Sequence, residues 1–443
     1  MKCSYLSSSS TPCWMDKGSN AWMMVAAILA GLATMPGLLL LYSGIARKKW
    51  AVNTAFLTLY AFTASLICWV TICHNLAFGS HLLPFWGTPG PVLYTKFLLS
   101  RSQHPATHQD LDFPSATMVA FQFGFAANSV AIVSSAVSAR ITFQAWAVFV
   151  PLWLIFSYTV GASSIWSGGF FSRWGVLDFA GGYVVHLSAG VSGAVLAHWV
   201  GPRHPVDRAR YPPNNVMLVL AGAGLVWLGW IGFAGGSAFL SPQQASLAVV
   251  NTNIAAATSL LVWTSLDVFY HGQPSVLGAV QGLMTGLVAI SPAAGLVEGW
   301  ASMCIGLCSG SLPWLTRLCH QKTTAKFCEE VDDTAGAVHT HGIAALIGVL
   351  LTGFFAHPRL TAMVSPVSGS EGVIFGNFQL VLKQLAAALL VILWNVAVTT
   401  LICVVVKRLM KLRMSDDQLR IGDDAVHGEE AYAVWEDGEK TTL

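Results

Sequence analysis

Charged residues are scarce in this sequence. Asp, Glu, Lys and Arg make up 10% of the 443 residues, whereas an average soluble domain has about 25%. Because a water-facing surface is built largely from such residues, this fraction excludes a soluble globular protein of this length. The formal net charge is only +2, so nothing in the composition indicates nucleic-acid binding.

Other features are also missing. The 9 cysteines show no Cys-x-x-Cys or other metal-ligand spacing, and there is no Asn-x-Ser/Thr sequon. The start of the chain lacks the apolar core of a cleaved signal peptide. We therefore expect no metal, no cofactor and no processed leader. Cys3 and Cys13, ahead of the first apolar stretch, could pair outside the cell or between subunits.

Apolar residues, in contrast, make up 54% of the chain, and the mean hydropathy is +0.61. A helix that crosses a bilayer needs roughly 20 predominantly apolar residues. Stretches of this kind predict an all-α membrane protein of about eleven transmembrane helices, near residues 21–46, 51–78, 115–138, 142–163, 180–200, 214–239, 245–270, 275–292, 294–316, 338–356 and 378–406.

The positions of Lys and Arg predict the orientation of these helices. If the segment after the first span is cytoplasmic and the sides alternate, 16 Lys and Arg residues lie on the cytoplasmic side and 7 on the outer side. This asymmetry agrees with the positive-inside rule. An odd number of spans then places the N-terminus outside and the C-terminus in the cytoplasm.

The spans also predict the domain organisation. We expect an extracellular segment at residues 1–20, a transmembrane transport domain at 21–406 and a cytoplasmic regulatory tail at 407–443. The 41 glycines often recur at small-xxx-small spacing within spans, which allows helices to approach closely. One compact bundle is therefore expected.

Several histidines lie inside predicted spans, where ionisable groups are costly and indicate function, and two of them share a spacing. Asp178 precedes His186 by eight residues, and Asp333 precedes His341 by the same interval, which is about 12 Å along a helix. These are the fifth and tenth spans, which occupy corresponding places in two sets of five. Matching features in two halves are typical of an inverted-repeat transporter, so we expect the two histidines to meet between the halves.

Two alternatives remain for these histidines. Each could be a core residue whose ring bonds a backbone carbonyl. A metal site is also possible, since His339 and His341 resemble ligand spacing. On a helix, however, residues two apart point roughly 200° apart, and no carboxylate or cysteine is placed to complete a ligand shell.

Aromatic residues recur at helical spacing in two of the spans. Phe121 and Phe125, four residues apart, share a face of the third span. A second face, in the sixth span, contains Trp230, Phe233 and Ser237. Such stripes usually pack in a core, but beside buried histidines they become a candidate pore lining.

Four segments resemble signature stretches of the ammonium transporter (Amt/Mep/Rh) family. In chain order they are AFQFGFA at 120–126, DFAGGYVVH at 178–186, WLGWIGF at 227–233 and VDDTAGAVHTHG at 331–342. The resemblance extends from about residue 20 to 436. The stretch MPGLLLLYSGIARKKWAVN and the tail GDDAVHGEEAYAVWEDGEK are most similar to the second plant subfamily.

The resemblance implies a role for each residue that matches a family motif. The implied groups are an outer recruitment site for ammonium at Phe121, Trp166 and Ser237, ordered by Asp178; a gate of stacked rings at Phe125 and Phe233; and a twin-histidine pair at His186 and His341. Trp166 is expected in the outer loop before the fifth span.

The resemblance further implies a homotrimer in the plasma membrane, each subunit having its own pore. The expected partners are ammonium or ammonia, methylammonium as an analogue, and the lipid bilayer. Ammonia would cross with or without a proton, and tail residues 415–436 would gate a neighbouring subunit. Alternatives are a passive gas channel of the Rh kind or an ammonium sensor. An intramembrane enzyme is disfavoured because no nucleophile–base pair or metal constellation is present.

Three positions depart from the family pattern. Ala234 follows Phe233 where many relatives have Asn, His339 is an additional histidine beside the twin pair, and Glu298 replaces an expected neutral residue. In addition, no Ser or Thr lies between Gly422 and Lys440. Control by phosphorylation within that stretch is therefore not expected.

Overall fold

The computed structural model describes residues 11–209, 211–239, 242–322, 331–364, 367 and 369–432. Within these residues, long helical segments follow one another along the chain. They are α1 Lys17–Ile45, α2 Lys48–Phe78, α3 Ser115–Val137, α4 Phe143–Trp174, α5 Gly182–Val200, α6 Val216–Gly236, α7 Pro242–His271, α8 Val276–Ile290, α9 Gly299–Lys322, α10 Val338–Phe355 and α11 Phe378–Leu409.

The prediction of about eleven transmembrane helices is confirmed. Nine of the described helices are long and apolar enough to cross a membrane. The apolar α8 is shorter, with 15 residues, and α9 has 24 residues. Polar residues whose side chains accept hydrogen bonds from the first turn begin five of the helices: Asp16 for α1, Thr142 for α4, Asn215 for α6, Ser275 for α8 and Asn377 for α11.

The chain between α8 and α9 is buried although it is not helical. Residues 291–297 are all buried, so their backbone groups need partners inside the protein. The side-chain amide of Asn251 donates to the carbonyls of Ala294 and Val297, both at 2.8 Å. The amide of Gln244 donates to Gly295 at 2.8 Å. Side chains from α7 thus stabilise this irregular segment.

The two sets of five helices form an inverted repeat around α5 and α10. Both helices begin with a wider π-helical turn, at Gly182–Leu187 and Val338–Ile343. They cross where Gly190 faces Gly342, and a Cβ atom on Gly190 would lie 2.4 Å from the Gly342 nitrogen. Glycine is therefore required at Gly190 for the two halves to approach this closely.

Small strands occur only outside the helices in the described part of the chain. β1 His81–Leu83 pairs with β2 Trp86–Gly87, and β3 Arg101–Gln103 pairs with β4 Asp110–Pro114, both antiparallel. All four strands lie in the long loop between α2 and α3. The backbone of Asp16, just before α1, bonds Asp112 in β4 at 3.0 Å, so the start of α1 lies on this face.

Basic residues gather on the opposite face. Arg47 donates to the Asp207 carboxylate at 2.7 Å, and the Trp50 indole donates to its other oxygen at 3.0 Å. Arg203 pairs with Asp332 at 2.6 Å. Residues that the positive-inside rule assigned to the cytoplasm are thus neighbours in space.

The C-terminal segment packs against this basic face of its own chain. The Asp423 carboxylate accepts the backbone N–H groups of Val52 at 2.7 Å and Asn53 at 2.9 Å. The Lys49 ammonium donates to the carbonyls of Leu419 and Arg420. The described N- and C-terminal segments therefore lie on opposite faces.

The first and last helices extend a few residues beyond the predicted apolar stretches. Helix α1 begins at Lys17, ahead of the predicted stretch 21–46, because Asp16 caps it. Helix α11 continues to Leu409, past the end of the predicted stretch 378–406. Cys13 forms a disulfide, whereas Cys3 lies outside the described residues, as do residues 433–436 of the predicted gating segment.

Candidate functional site

The two central histidines meet in the interior of the bundle. The Nδ1 atoms of His186 and His341 are 3.3 Å apart, and both side chains are buried. The His186 ring also stacks on the Trp230 indole, with centroids 5.1 Å apart and planes 13° apart. His186 Nε2 is buried and has no hydrogen-bond partner among the described residues. The predicted meeting of the two histidines therefore takes place.

An aspartate orders the turn that leads to each histidine. The Asp178 carboxylate accepts the backbone N–H groups of four residues, at 2.6–3.3 Å: Gly181, Gly182, Tyr183 and Val184. Asp333 accepts those of Gly336 at 3.0 Å and Val338 at 2.7 Å. Because a helix N-terminus has unpaired N–H groups, a carboxylate there fixes the first turn. The repeated Asp–His spacing thus corresponds to a repeated structural unit.

Two phenylalanine rings stack beside the histidines, toward the face of the bundle that contains the long loop between α2 and α3, here called the outer face. The Phe125 and Phe233 centroids are 3.6 Å apart, with an interplanar angle of 28°. Trp230 links this stack to His186, since its ring centroid is 5.6 Å from that of Phe233. At van der Waals contact the two phenylalanine rings leave no room for a water molecule between them.

A small cavity of about 90 Å³ lies on the outer side of the stacked rings. The Trp166 indole N–H donates to the backbone carbonyl of Asp178 at 2.8 Å, which fixes this ring at the cavity wall, and its ring meets Phe125 edge-on at 5.5 Å. None of the described lining residues is Lys or Arg. They include Phe125, Trp166, Asp178, Ser237, His104, Gln122 and Phe239.

The structure places two predicted recruitment residues differently from the sequence expectation. Trp166 does not lie in a loop, because it is the last residue of the helical run Thr159–Trp166 within α4. Phe121 is fully buried and does not line the cavity. Its ring instead packs edge-on against Phe125 at 5.1 Å and Phe239 at 5.9 Å.

Ser237 follows the last residue of α6 and does line the cavity. Its hydroxyl donates to the Phe233 carbonyl at 3.0 Å. The hydroxyl hydrogen is thus used in this bond to the backbone, and the oxygen lone pairs remain as hydrogen-bond acceptors. An N–H donor in the cavity could bond this oxygen.

Three lining or contact residues were not predicted from the sequence: His104, Gln122 and Phe239. Trp230 was predicted as part of a candidate pore lining because it shares a helix face with Phe233, and its ring lies on His186. His104 belongs to the loop that connects β3 and β4, far from any apolar pattern. Nothing in the sequence indicates that this loop reaches the cavity.

The remaining departures from the family pattern lie away from the cavity. His339 contacts Thr316 Oγ1 at 3.2 Å and His320 at 3.1 Å, so it faces α9 and not His341. Among the described residues, no three His, Cys, Asp or Glu side chains are grouped to hold a metal ion. Glu298 is exposed and accepts a hydrogen bond from the Trp300 indole at 2.7 Å. Ala234 is buried without a polar role.

Comparisons with known proteins agree with this geometry. Residues 21–432 match the model of the Ammonium Transporter Family. The chain is 52% identical over 432 residues to ammonium transporter 2 of Arabidopsis thaliana, covering 97% of this chain and 91% of that protein. It is equally identical, over 449 residues, to ammonium transporter 3 member 2 of Oryza sativa subsp. japonica, covering 98% and 93%.

Solved structures show the same likeness. Saccharomyces cerevisiae Mep2 superposes with a TM-score of 0.79 at 30% identity, covering 91% of each chain. Candida albicans Mep2 gives 0.80 at 29% identity, covering 91% of this chain and 88% of that one. The chain is a multi-pass membrane protein that belongs to the ammonium transporter family.

Proposed function

We propose that this protein transports ammonium across a membrane, recruiting the ion at the outer cavity and conducting ammonia past the histidine pair. The observation that carries this proposal is the order of three groups along one path. A cavity walled by Trp166 and Ser237 is followed by the stacked rings of Phe125 and Phe233, and then by the buried pair of histidines.

The outer cavity suits a small cation that donates hydrogen bonds. A cation over the face of an aromatic ring gains roughly 1–2 kcal/mol when it is partly desolvated. The Ser237 oxygen can accept an N–H bond, and the nearby Asp178 carboxylate adds negative potential, with no Lys or Arg among the described lining residues to oppose it. We assign Trp166, Ser237 and Phe125 to contact with the ion, with Asp178 as a positioning residue and Phe121 as support for the Phe125 ring.

An intact ammonium ion cannot pass the stacked rings at reasonable cost. Moving such an ion into hydrocarbon costs on the order of 20 kcal/mol by a Born estimate, which far exceeds the aromatic contribution. Loss of one proton at the cavity avoids most of this cost, because neutral ammonia has only hydrogen bonds to lose. The released proton passes to water at the mouth of the cavity or, where transport carries current, follows inward to the histidine pair. The Phe125 and Phe233 rings would then need to separate only enough for a molecule the size of water.

The histidine pair supplies what ammonia needs inside the bundle. His186 Nε2 is buried without a partner among the described residues, and leaving such a group unsatisfied costs about 1–3 kcal/mol. Ammonia, which both donates and accepts, would satisfy it. The contact between the two Nδ1 atoms lets one proton be shared between the rings, which offers a relay.

Ammonium-dependent current and uptake in a transport-deficient cell test this function. We expect His186→Ala combined with His341→Ala to change rate and selectivity strongly, while His271→Ala, an exposed histidine in α7, leaves both unchanged. Unaltered transport in the double variant would contradict the relay. Ammonia flux without current would indicate a passive gas channel, and binding without flux would indicate a sensor.

The recruitment site has its own test. Trp166→Leu removes the ring that the cation faces but leaves the gate and the histidines in place. We expect the apparent ammonium affinity to fall several-fold while the maximal rate changes little. A loss confined to the maximal rate would instead place Trp166 at the barrier to permeation.

We further propose a homotrimer in the plasma membrane, with the N-terminus outside and the C-terminal tail from about residue 407 acting as a cytoplasmic regulatory segment. The distribution of 16 against 7 basic residues supports this orientation, as do terminal segments on opposite faces. Epitope tags at each terminus, probed on intact and permeabilised cells, test the orientation, and light scattering of the purified protein tests the assembly. Transport that survives truncation at Arg413 would contradict a regulatory tail.

A further inference from the structure

We propose that residues His104, Pro105 and Ala106, here called the roof segment, limit the size of the cation that reaches Trp166 and so determine selectivity between ammonium and alkylated amines. All three residues line the outer cavity. The inference rests on the proposed function, since it concerns which cation that site accepts.

The roof segment is held in place by the hairpin that contains it. The His104 N–H bonds the Gln109 carbonyl at 2.7 Å, and the His108 N–H bonds the His104 carbonyl at 2.9 Å. At the base of the hairpin, Arg101 pairs with Asp112 at 2.6 Å. A loop closed by these bonds at both ends has little freedom to move away from the cavity.

The roof segment also contacts the ends of two helices across the cavity. The His104 ring meets Phe239, just beyond α6, edge-on at 5.6 Å. Phe239 has a φ of 38°, a backbone conformation that a bulky residue rarely adopts and that persists only under strong packing. On the other side, Gly168 has a φ of 72°, and a Cβ atom there would lie 3.1 Å from the Ala106 carbonyl. The segment therefore bridges the mouth from α6 to α4.

The chemistry of His104 makes this roof uncharged. Its Nδ1 accepts the backbone N–H groups of Ala106 and Thr107, both at 3.3 Å, so the ring hydrogen lies on Nε2. Burial lowers the pKa of His104 to about 4, and the nearby His108 acts in the same direction. At neutral pH the roof segment thus does not repel a cation, and its effect on selectivity is steric.

The cavity beneath the roof is small enough for such an effect. It encloses about 90 Å³, whereas typical small-molecule pockets have roughly 300–1,000 Å³. In a closely packed site, one methyl group changes relative affinity by about 10-fold or more. Removing the His104 ring should therefore favour bulkier amines in proportion to their added methyl groups.

The test measures inhibition of ammonium uptake by methylammonium, dimethylammonium and ethylammonium in the same cells. For His104→Ala we expect the inhibition constant of dimethylammonium, relative to the ammonium constant, to fall about tenfold, with a smaller fall for methylammonium. His108→Asn is the matched control, because His108 is an exposed histidine of the same loop with a φ of 55°, which Asn tolerates. His104→Gln keeps bulk and a hydrogen-bond acceptor and should retain nearly wild-type ratios.

An unchanged ratio in a His104→Ala protein that reaches the membrane would overturn the proposal. If that variant does not reach the membrane, Phe239→Leu opens the same end of the cavity and is expected to shift the ratios in the same direction; unchanged ratios there would also overturn it. If the wild-type chain moves no ammonium, the proposed function fails separately. In that case the roof segment is tested by amine binding, measured as quenching of tryptophan fluorescence in the purified wild type and in His104→Ala. The proposal is supported only if the relative affinities for the amines differ between the two proteins, and it is overturned if they do not.

Discussion

Asp178 and Asp333 have the same structural role on opposite faces of the molecule. Each accepts backbone N–H groups at the start of a helix that contains a central histidine. Their surroundings differ. Asp178 lies beside the aromatic outer cavity, whose described lining has no Lys or Arg. Asp333 follows Asp332, which pairs with Arg203 and whose carbonyl accepts from Arg140. One structural unit is thus placed in neutral surroundings on the outer face of the bundle and in basic surroundings on the opposite face.

This difference bears on what each end can bind. A carboxylate near aromatic faces attracts a cation, whereas arginines near the inner carboxylate reduce that attraction. The inner end therefore offers less stabilisation to an incoming ammonium ion than the outer end does. The asymmetry supports the proposal that the ion is held outside and that neutral ammonia continues inward.

The largest effects are expected from removing the two capping carboxylates. Asp178 accepts four backbone N–H groups and Asp333 two, and a hydrogen bond to a charged group contributes about 1.5–3 kcal/mol. We expect Asp178→Ala to abolish uptake and to lower the unfolding midpoint in detergent more than Asp333→Ala does. Asp424→Ala, at an exposed position, serves as the control. Equal losses at both sites would remove the distinction between the two ends.

A somewhat smaller loss should follow from changing Arg140, which joins segments of the inner face. Its fully buried guanidinium donates to the carbonyls of Ala136 at 2.7 Å and Gly201 at 2.8 Å, and to the Thr334 hydroxyl at 2.6 Å. Arg140→Met leaves these acceptors unpaired, so we expect a loss of about 3 kcal/mol in the free energy of unfolding.

The companion variant Arg140→Lys should recover only part of this loss, because an ammonium cannot reproduce the planar fork of donors. Arg420→Met, on an exposed side chain, provides the control in urea-induced unfolding. If Arg140→Met were as stable as the wild type, the inner network would have no structural role, and its difference from the outer end would be purely electrostatic.

Much of this arrangement could be predicted from the sequence. Each of the eleven apolar stretches is longer than the apolar runs that arise by chance. The repeated Asp–His interval corresponds to a repeated helix start. The meeting of His186 and His341 also followed from the expected relation between the two halves. Each of these predictions depends on a periodic or repeated pattern, which a sequence displays directly.

Other features could not be predicted because they depend on contacts between distant segments. Packing against Phe239 sets the position of Phe121 behind Phe125. Trp166 is helical because α4 continues beyond its apolar stretch. His104 reaches the cavity through a loop held by backbone bonds, and no residue pattern encodes that path. The carboxylate of Asp423 likewise pairs with Val52, which is remote in the chain.

The stacking of Trp230 on His186 predicts that the two histidines are not equivalent. An aromatic pair contributes about 0.5–1.5 kcal/mol beyond its buried area. In double-mutant cycles on uptake rate, we expect Trp230→Phe to show coupling of this size with His186→Gln and clearly less with His341→Gln. Trp227→Phe, one turn earlier in α6 and bonded to Asn253, is the matched control. Similar coupling to both histidines would mean that Trp230 acts on the pair as a whole.

The smallest effect concerns pH, to which the two faces should respond differently. Burial lowers the pKa of His104 to about 4 at the outer roof and raises that of Asp423 to about 7 at the inner tail, although its two backbone hydrogen bonds oppose this rise. Because the packed tail favours the protonated form of Asp423, this carboxyl stabilises the tail fully below pH 3.8, its ordinary pKa. The contribution is lost as the pH rises through 7. Between pH 6 and 8 the tail should therefore lose about 1 kcal/mol of packing free energy.

Hydrogen exchange at the Val52 and Asn53 amides measures this loss directly, after correction for the intrinsic pH dependence of exchange. Exchange should accelerate as pH rises in the wild type and in Asp424→Asn, but it should be independent of pH in Asp423→Asn, because an amide cannot ionise.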